Sequence, residues 1–338
     1  MTAVNDESPR HPIRPALTRI GAAIGAALMF ALGFYMLMEA ARPNDGLVSF
    51  SFLLALPAAL CAFIAYVADP WKERSHRFYL AVPLWLLGAV VVASVFLLHE
   101  GVICVVLLAP LWLASGLIGT ELTWRLRRRT GEGRTYCVAL IAVPLVAMQV
   151  EPGVPLPVAE PVVARSIVVN APPAALWPML RGIPDVRPGE GRWNLTQNVI
   201  GVPRPVAARL VGRGIGATRF ADWGEHIRFR EQITAWVPGR EIGWRFVFDD
   251  MAGWGYTDRH LMPDSPYFRV TTGGYRLEPL GPNRTRVLLH TRYRITTPVN
   301  LYATLWGELF LGDLENNLLA IIKARAERPA GTHVGDAA

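Results

Sequence analysis

Four uncharged apolar runs in the N-terminal part of the chain decide where it can fold. Residues 20–38, 46–68, 78–98 and 101–120 contain no Asp, Glu, Lys or Arg. Each is close to the roughly 20 residues a helix needs to cross a bilayer. Charge or a helix breaker bounds every run: Arg19 and Glu39, Asp45 and Asp69-Pro70, Arg77 and His99-Glu100, then Glu121. Trp71 and Trp124 sit at run ends, where an amphipathic ring suits the headgroup layer. A fifth run, residues 135–150, is shorter and holds Pro144. It is expected to span if the bilayer thins locally or Arg134 reaches outward; otherwise it lies at the interface or re-enters.

Most of the charge follows Glu151, so the overall 52% hydrophobic and 18% charged residues average two unlike parts rather than describing one greasy globule. The expected organisation is a cytoplasmic tail (1–16), a transmembrane region (17–150), a Pro-rich linker (151–164), a water-soluble α+β domain (165–328) and a disordered tail (329–338).

Basic residues alternate between the connections. Arg10, Arg14 and Arg19 precede the first run. Lys72, Arg74 and Arg77 follow the second. Arg125, Arg127, Arg128, Arg129 and Arg134 follow the fourth, while the other two connections share only Arg42. By the positive-inside rule the basic segments face the cytoplasm. The fifth run then decides the side of the soluble domain: outside the cytoplasm if it spans, inside if it does not. The expected location is the inner cell membrane, multi-pass.

The net charge of +7 does not imply a nucleic-acid partner, because the densest basic run abuts an apolar run and reads as a topology signal, with anionic lipid a natural contact. Uncharged spans argue against an ion or proton path. Gly21 and Gly25 form a small-xxx-small pair that could bring helices together, within the bundle or between copies in a homo-oligomer. Cys61, Cys104 and Cys137 all lie in apolar runs and read as small hydrophobes. No metal site, disulfide or cofactor is expected.

Past the linker, residues 165–170 read as a strand and 174–180 as a short helix with Trp177 inward. Strand patterns cover 218–223, 227–235, 241–248, 267–278 and 285–295. Residues 299–327 read as a long helix with an apolar stripe of Leu301, Leu305, Leu309, Leu314, Leu318, Ile321 and Ile322. Asp313, Glu315, Asn316 and Asn317 are assigned to its solvated face; an inward polar residue there would orient a ligand head group. This order gives an antiparallel sheet covered by one helix, and a gap between the two would form an apolar pocket.

Residues 166–177, Ser-Ile-Val-Val-Asn-Ala-Pro-Pro-Ala-Ala-Leu-Trp, resemble the opening of START-type helix-grip domains of the SRPBCC, polyketide cyclase/dehydrase-like superfamily. The hairpin of residues 233–245, Ile-Thr-Ala-Trp-Val-Pro-Gly-Arg-Glu-Ile-Gly-Trp-Arg, is similar to that superfamily's strand–PGR–strand element. Residues 275–280, Asn283-Arg-Thr-Arg286 and the terminal helix fit as well. The resemblance covers about residues 165–327 and extends to bacterial proteins that join N-terminal spans to such a domain. It implies a curved sheet around the C-terminal helix, and it implies a fold more than an activity.

The expected function is to bind a hydrophobic or amphipathic small molecule, or a lipid, near the bilayer, with Trp244, Phe246, Tyr275, Trp306 and Phe310 as lining. A first alternative is a cyclase- or hydrolase-type enzyme using Asp258, His260 and Asp264, two carboxylates and an imidazole within one loop. A second is a non-catalytic interaction or regulatory module. Binding is preferred over catalysis, since no metal-ligating His pair and no nucleophile elbow is present. His226 and His290 lie in strand patterns and read as rim or core. Gly212, Gly214 and Gly216 read as a loop, not a phosphate cradle.

Overall fold

The computed structural model describes residues 13–42, 48–94, 102–129, 134–254 and 262–328. The chain forms two compact units, residues 1–100 with 104–155, and residues 101–103 with 156–338.

In the first unit, α1 (Ile13–Ala41), a π-helical turn (Ser51–Ala55) running into α2 (Leu56–Ala68), α3 (His76–Ala93), α4 (Val102–Arg129) and α5 (Arg134–Val150) form the bundle. Four helical stretches are long and apolar enough to cross a membrane: Thr18–Ala41, Ser51–Ala68, His76–Ala93 and Val105–Arg128. The Ser51–Ala68 stretch is 72% buried, whereas the others are 17–28% buried. Met29, Met36, Leu84, Val92, Ile118 and Leu122 are therefore exposed apolar side chains. A helix apolar on every side suits a lipid phase.

Two sets of polar contacts define opposite ends of this bundle. At one end, Arg19 stacks on Trp71 at 4.6 Å and Arg128 on Trp124 at 4.4 Å. Arg127 donates to the Tyr66 carbonyl, and His76 meets Glu121 at 2.7 Å. Asp69 is buried there, accepting from the Tyr79 hydroxyl at 2.8 Å and from the Glu73 backbone amide. At the other end, Glu151, just past α5, pairs with Arg42 at 3.3 Å and accepts from the Ser51 amide. So α5 starts near the arginine-rich end and finishes beside the end of α1 and the start of the π-helical turn. At 1.5 Å per residue it covers about 25 Å, short of the roughly 30 Å hydrocarbon core.

Close packing in the bundle relies on small residues at a different place from the Gly21–Gly25 pair, beside which there is open space. A side chain on Gly116 would meet the Cys61 sulfur and Pro83, and one on Gly119 would fall on the Ala58 carbonyl. Buried Cys61 thus packs as a small hydrophobe; the Cys104 and Cys137 side chains lie outside the described residues.

The second unit is α+β. Its strands are β1 (Val158–Ala159), β2 (Val162–Val169), β3 (Pro205–Val211), β4 (Thr218–Trp223), β5 (Ile227–Val237), β6 (Glu241–Val247), β7 (Phe268–Gly281) and β8 (Arg284–Thr296). Its helices are α6 (Pro173–Arg181), α7 (Leu195–Asn198) and α8 (Asn300–Ala326). All strand pairs are antiparallel, in the order β1-β8-β7-β6-β5-β4-β3, with β2 also on β8. Register shifts at Val270/Thr272 and Ile233/Ala235 bend the sheet, as bulges do.

The curved sheet closes around α8, and α6 fills one end. Val169, Leu176, Leu180, Ile233, Ile242, Tyr275, Leu277, Val287 and Leu289 pack with Leu319, Ile321 and Ile322 of α8. At its C-terminal end α8 is tied by Arg325, which donates to the Pro184 and Asp185 carbonyls and pairs with Glu190. Lys323 donates to the Val168 carbonyl at 2.6 Å.

Two expectations change. The apolar stripe of α8 is not buried along its whole length: Leu301 and Leu305 are 82% and 65% exposed, because Ala303 and Leu311 on another face meet the sheet. Glu315 and Asn317, assigned to a solvated face, are 3% and 1% exposed. The 3.6-residue period puts Glu315 in register with Gly312 and Leu319, which face the sheet. Strands β1 and β3 and helix α7 are additions, β1 and the start of β2 lying in the stretch expected as a linker. β3 begins at a proline and is alanine-rich, so it lacks strand signals, and as an edge strand it tolerates the missing N–H.

Replacing Gly119 with Leu is expected to force α4 away from α2. The cost is about 1–3 kcal/mol of overpacking, read as a lower melting temperature of the full chain in detergent, while Gly21→Leu leaves it unchanged.

Candidate functional site

The inner face of the sheet is read by register. β-strand residues alternate between faces, so Arg165, Leu289, Tyr275 and Ile242 form one row across β2, β8, β7 and β6. The next row is Val163, Thr291, Gly273, Trp244 and Ile233. Beyond Trp244 on the same face, Phe246 pairs with Glu231, and Glu231 with Arg219.

Aromatic rings line this face. Trp244 contacts Tyr275 at 5.5 Å and Phe246 at 6.1 Å between centroids, and Phe246 continues to Phe229 and Phe248. Gly273 makes this possible: a side chain there would begin 3.0 Å from Trp244 Nε1 and 3.1 Å from the Phe246 ring.

Under the rings lies a buried ion pair. Arg219 and Glu231 are each 5% exposed and directly bonded. Arg219 also donates to the Leu180 carbonyl at the end of α6 and stacks on Trp244 at 4.2 Å and on Tyr275 at 5.6 Å. Burial works against its charge, but Glu231 outweighs that and holds the guanidinium above its usual range. Burial also pushes the Tyr275 phenol up to about 12, so both stay protonated.

Facing this sheet from α8 is Glu315. Neither carboxyl oxygen has a hydrogen-bond partner of good geometry, and the same holds for buried Trp244 Nε1. Burial pushes the Glu315 carboxyl up to about 8, although Thr291, the Arg165 charge and the Arg165 backbone favour the ionised form. Arg165 itself is held elsewhere: its guanidinium lies in the notch left by Gly312 and bonds Glu308 at 2.7 Å. One turn on, α8 is pinned to α7. Asp313 accepts from the Thr196 hydroxyl at 2.8 Å, and Asn317 donates to Gln197 and accepts from the Arg192 amide.

The residues singled out in the sequence separate into groups. Trp244, Phe246 and Tyr275 come together on the inner face. Trp306 and Phe310 pair with each other on α8 at 5.4 Å, and among the described residues no ring contact joins the two sets. Asp264 is exposed and pairs with Arg269 at 2.8 Å, while Asp258 and His260 lie outside the described residues. His226 is in the exposed β4–β5 turn; His290 points to the outer face, half-buried, its imidazole held below its usual range by burial and nearby Arg276. Gly212, Gly214 and Gly216 form the turn between β3 and β4.

Arg219, Glu231 and Glu315 went unremarked or were assigned outward in the sequence. The signal for the pair was present: Ile227, Phe229, Glu231 and Ile233 share one parity, as do Arg219, Ala221 and Trp223, so each charge sits in an apolar series.

No protein-family profile matches the chain, and no curated protein matches it. Solved structures do. The Zhui aromatase/cyclase from Streptomyces is 16% identical, covering 51% of this chain and 99% of that one, with a TM-score of 0.33. A truncated norcoclaurine synthase from Thalictrum flavum is 14% identical over 51% and 97%, with a TM-score of 0.32. A structure from Chromobacterium violaceum is 17% identical over 48% and 96%, with a TM-score of 0.27.

A carboxyl whose folded-state value is raised binds its proton more tightly folded than unfolded. Its contribution to stability is greatest below the unfolded value near 4.5 and falls as pH rises toward 8. Each unit corresponds to about 1.4 kcal/mol, so the full chain is expected to lose several kcal/mol, about 10 °C in melting temperature, between pH 5 and 8. Glu315→Gln should flatten that decline; parallel melting curves for the two proteins across this range would contradict it.

Proposed function

We propose that the chain is a membrane-anchored binding protein, and that its second unit holds a hydrophobic or amphipathic small molecule, or a lipid, between α8 and the inner face of the sheet. The observation that carries this is the combination of aromatic walls with buried polar groups that make no well-formed hydrogen bond within the protein: Trp244 Nε1 and both Glu315 oxygens. An unpaired buried donor or acceptor costs about 1–3 kcal/mol, and a bound molecule is one way to recover it. Apolar lining with a few convergent polar groups is how small-molecule sites are built. The bilayer is the partner of the apolar helices, and an apolar ligand would be supplied from it. The exposed Leu301 and Leu305 give α8 a face suited to lipid.

Binding is favoured over catalysis. The loop group proposed for acid–base work contributes one described residue, Asp264, and it is spent on an exposed ion pair with Arg269. For sidedness, the position of Glu151 opposite the arginine-rich end supports α5 crossing and the second unit lying outside the cytoplasm of an inner-membrane protein.

Native mass spectrometry of the full chain released from mild detergent should show a retained small molecule of fixed mass. A bare chain under conditions that preserve lipid adducts on other membrane proteins would contradict the binding proposal. For sidedness, a cysteine placed at exposed Lys72 and one at exposed Val237 should react with a membrane-impermeant maleimide from opposite faces of the membrane. Labelling of both from the same face would overturn the proposed arrangement.

A further inference from the structure

The first two turns of α8 are built unlike the rest of that helix. Its charged residues, Glu308, Asp313, Glu315, Lys323 and Arg325, all follow Gly307. Residues 295–307, from the end of β8 into α8, contain no Asp, Glu, Lys, Arg or His. Leu301 and Leu305, one turn apart on this stretch, are 82% and 65% exposed. Beside them Tyr302, Trp306 and Phe310 form a second row at the same spacing, with successive ring centroids 6.2 and 5.4 Å apart. The polar side chains spend their hydrogen bonds close by. Asn300 accepts from the Thr297 hydroxyl at 2.9 Å, and Thr304 donates to the Asn300 carbonyl at 2.8 Å. A single exposed leucine needs no explanation, but a helix face turned to water ordinarily carries charge.

The place of this stretch along the chain names its partner. Asn300 also donates to the Pro157 carbonyl at 2.7 Å, so α8 begins at the end of the tether. Val158, next to that bond, is 50% exposed. Residues 152–159 are likewise uncharged, and Pro157 follows Glu151 at the end of α5 by six residues. Six residues reach about 20 Å at full extension, and the 3₁₀ turn Glu151–Gly153 shortens that. The start of α8 is therefore held within a short reach of the headgroup layer.

We infer that the first two turns of α8 dock into the interfacial layer of the bilayer that anchors the chain. Leu301 and Leu305 enter the boundary between headgroups and acyl chains, the depth at which an apolar helix face is buried at a membrane surface. Tyr302 and Trp306 flank them with amphipathic rings suited to the headgroup level. With Thr297, Asn300 and Thr304 already bonded within the protein, the face can leave bulk water without stranding their side chains. The inference rests on the membrane anchoring proposed above, not on the bound ligand. It adds a second, peripheral contact that holds the α+β unit against the membrane in one orientation. A second copy of the chain is the rival occupant of such a face; the tether favours lipid, which lies within its reach in every copy.

The test uses the full chain in phosphatidylcholine vesicles, with Cys104→Ala and Cys137→Ala and with buried Cys61 retained. A nitroxide is attached to one introduced cysteine at a time: Leu301→Cys, Leu305→Cys, Leu84→Cys on α3 and Val237→Cys at the β5–β6 hairpin, all exposed positions. Power-saturation EPR compares collisions with oxygen, which concentrates in lipid, and with a water-soluble nickel chelate. The oxygen-to-nickel ratio at Leu301 and Leu305 should be severalfold above that at Val237 and rise toward that at Leu84. Ratios at Leu301 and Leu305 equal to that at Val237, with Leu84 in lipid, would overturn the docking and leave the anchor and the binding proposal standing. A water-like ratio at Leu84 would overturn the anchor and the docking together. Dipolar broadening between labels at Leu301 that disappears on dilution with unlabelled chain would assign the face to a second copy and overturn the docking.

Discussion

The inner face of the sheet must be covered by α8, and most features of the second unit trace to that contact. The face carries Val163, Val287, Leu289 and Tyr293, which need burial, but also Arg165, Arg219 and Glu231, which resist it. Leu319, Ile321 and Ile322 meet the first kind. The second kind is met by pairing: Arg219 with Glu231, and Arg165 with Glu308. A charge removed from water without a partner costs several kcal/mol, so the helix can close only where each charge has its counterpart. Gly307 and Gly312 let it approach, since side chains there would overlap Tyr293 and Arg165.

Glu315 is the exception to that pairing, and this is why it matters. Around it the fold offers Thr291 and the backbone of Arg165, neither closing a good hydrogen bond. The group settles the conflict by keeping its proton. Trp244 nearby has the same deficit on its Nε1. Core positions usually avoid such groups, and both lie on the inner face of the sheet, where the aromatic wall is also densest.

The first unit is built by a different rule. Its helices expose apolar side chains and bury small ones: Gly116 and Gly119 against Cys61 and Ala58. Within lipid the hydrophobic effect does not drive helices together, so close packing of small residues takes that role. Its polar contacts gather at the two ends, with arginine–aromatic stacks at one and the Glu151 cluster at the other. Within the described chain nothing packs against Gly21 or Gly25, so the close small-residue contacts lie elsewhere in the bundle.

Much was legible in the residues alone. Apolar length fixed the four candidate spans, because a bilayer sets a minimum. Two-residue alternation located β2 and β4 to β8, and Pro298 with the later apolar stripe located α8. Strand parity could have flagged Arg219 and Glu231 as inward. What the sequence did not settle depends on which surfaces meet. Leu301 and Leu305 continue the stripe of Leu318 and Ile322, yet the sheet reaches only one part of the helix. Glu315 and Asn317 look like solvent-facing residues until β8 and α7 are placed against them. A local pattern sets the face on which a side chain lies, through backbone geometry; whether that face meets water, lipid or another strand is decided by tertiary packing, and with it the protonation of Glu315.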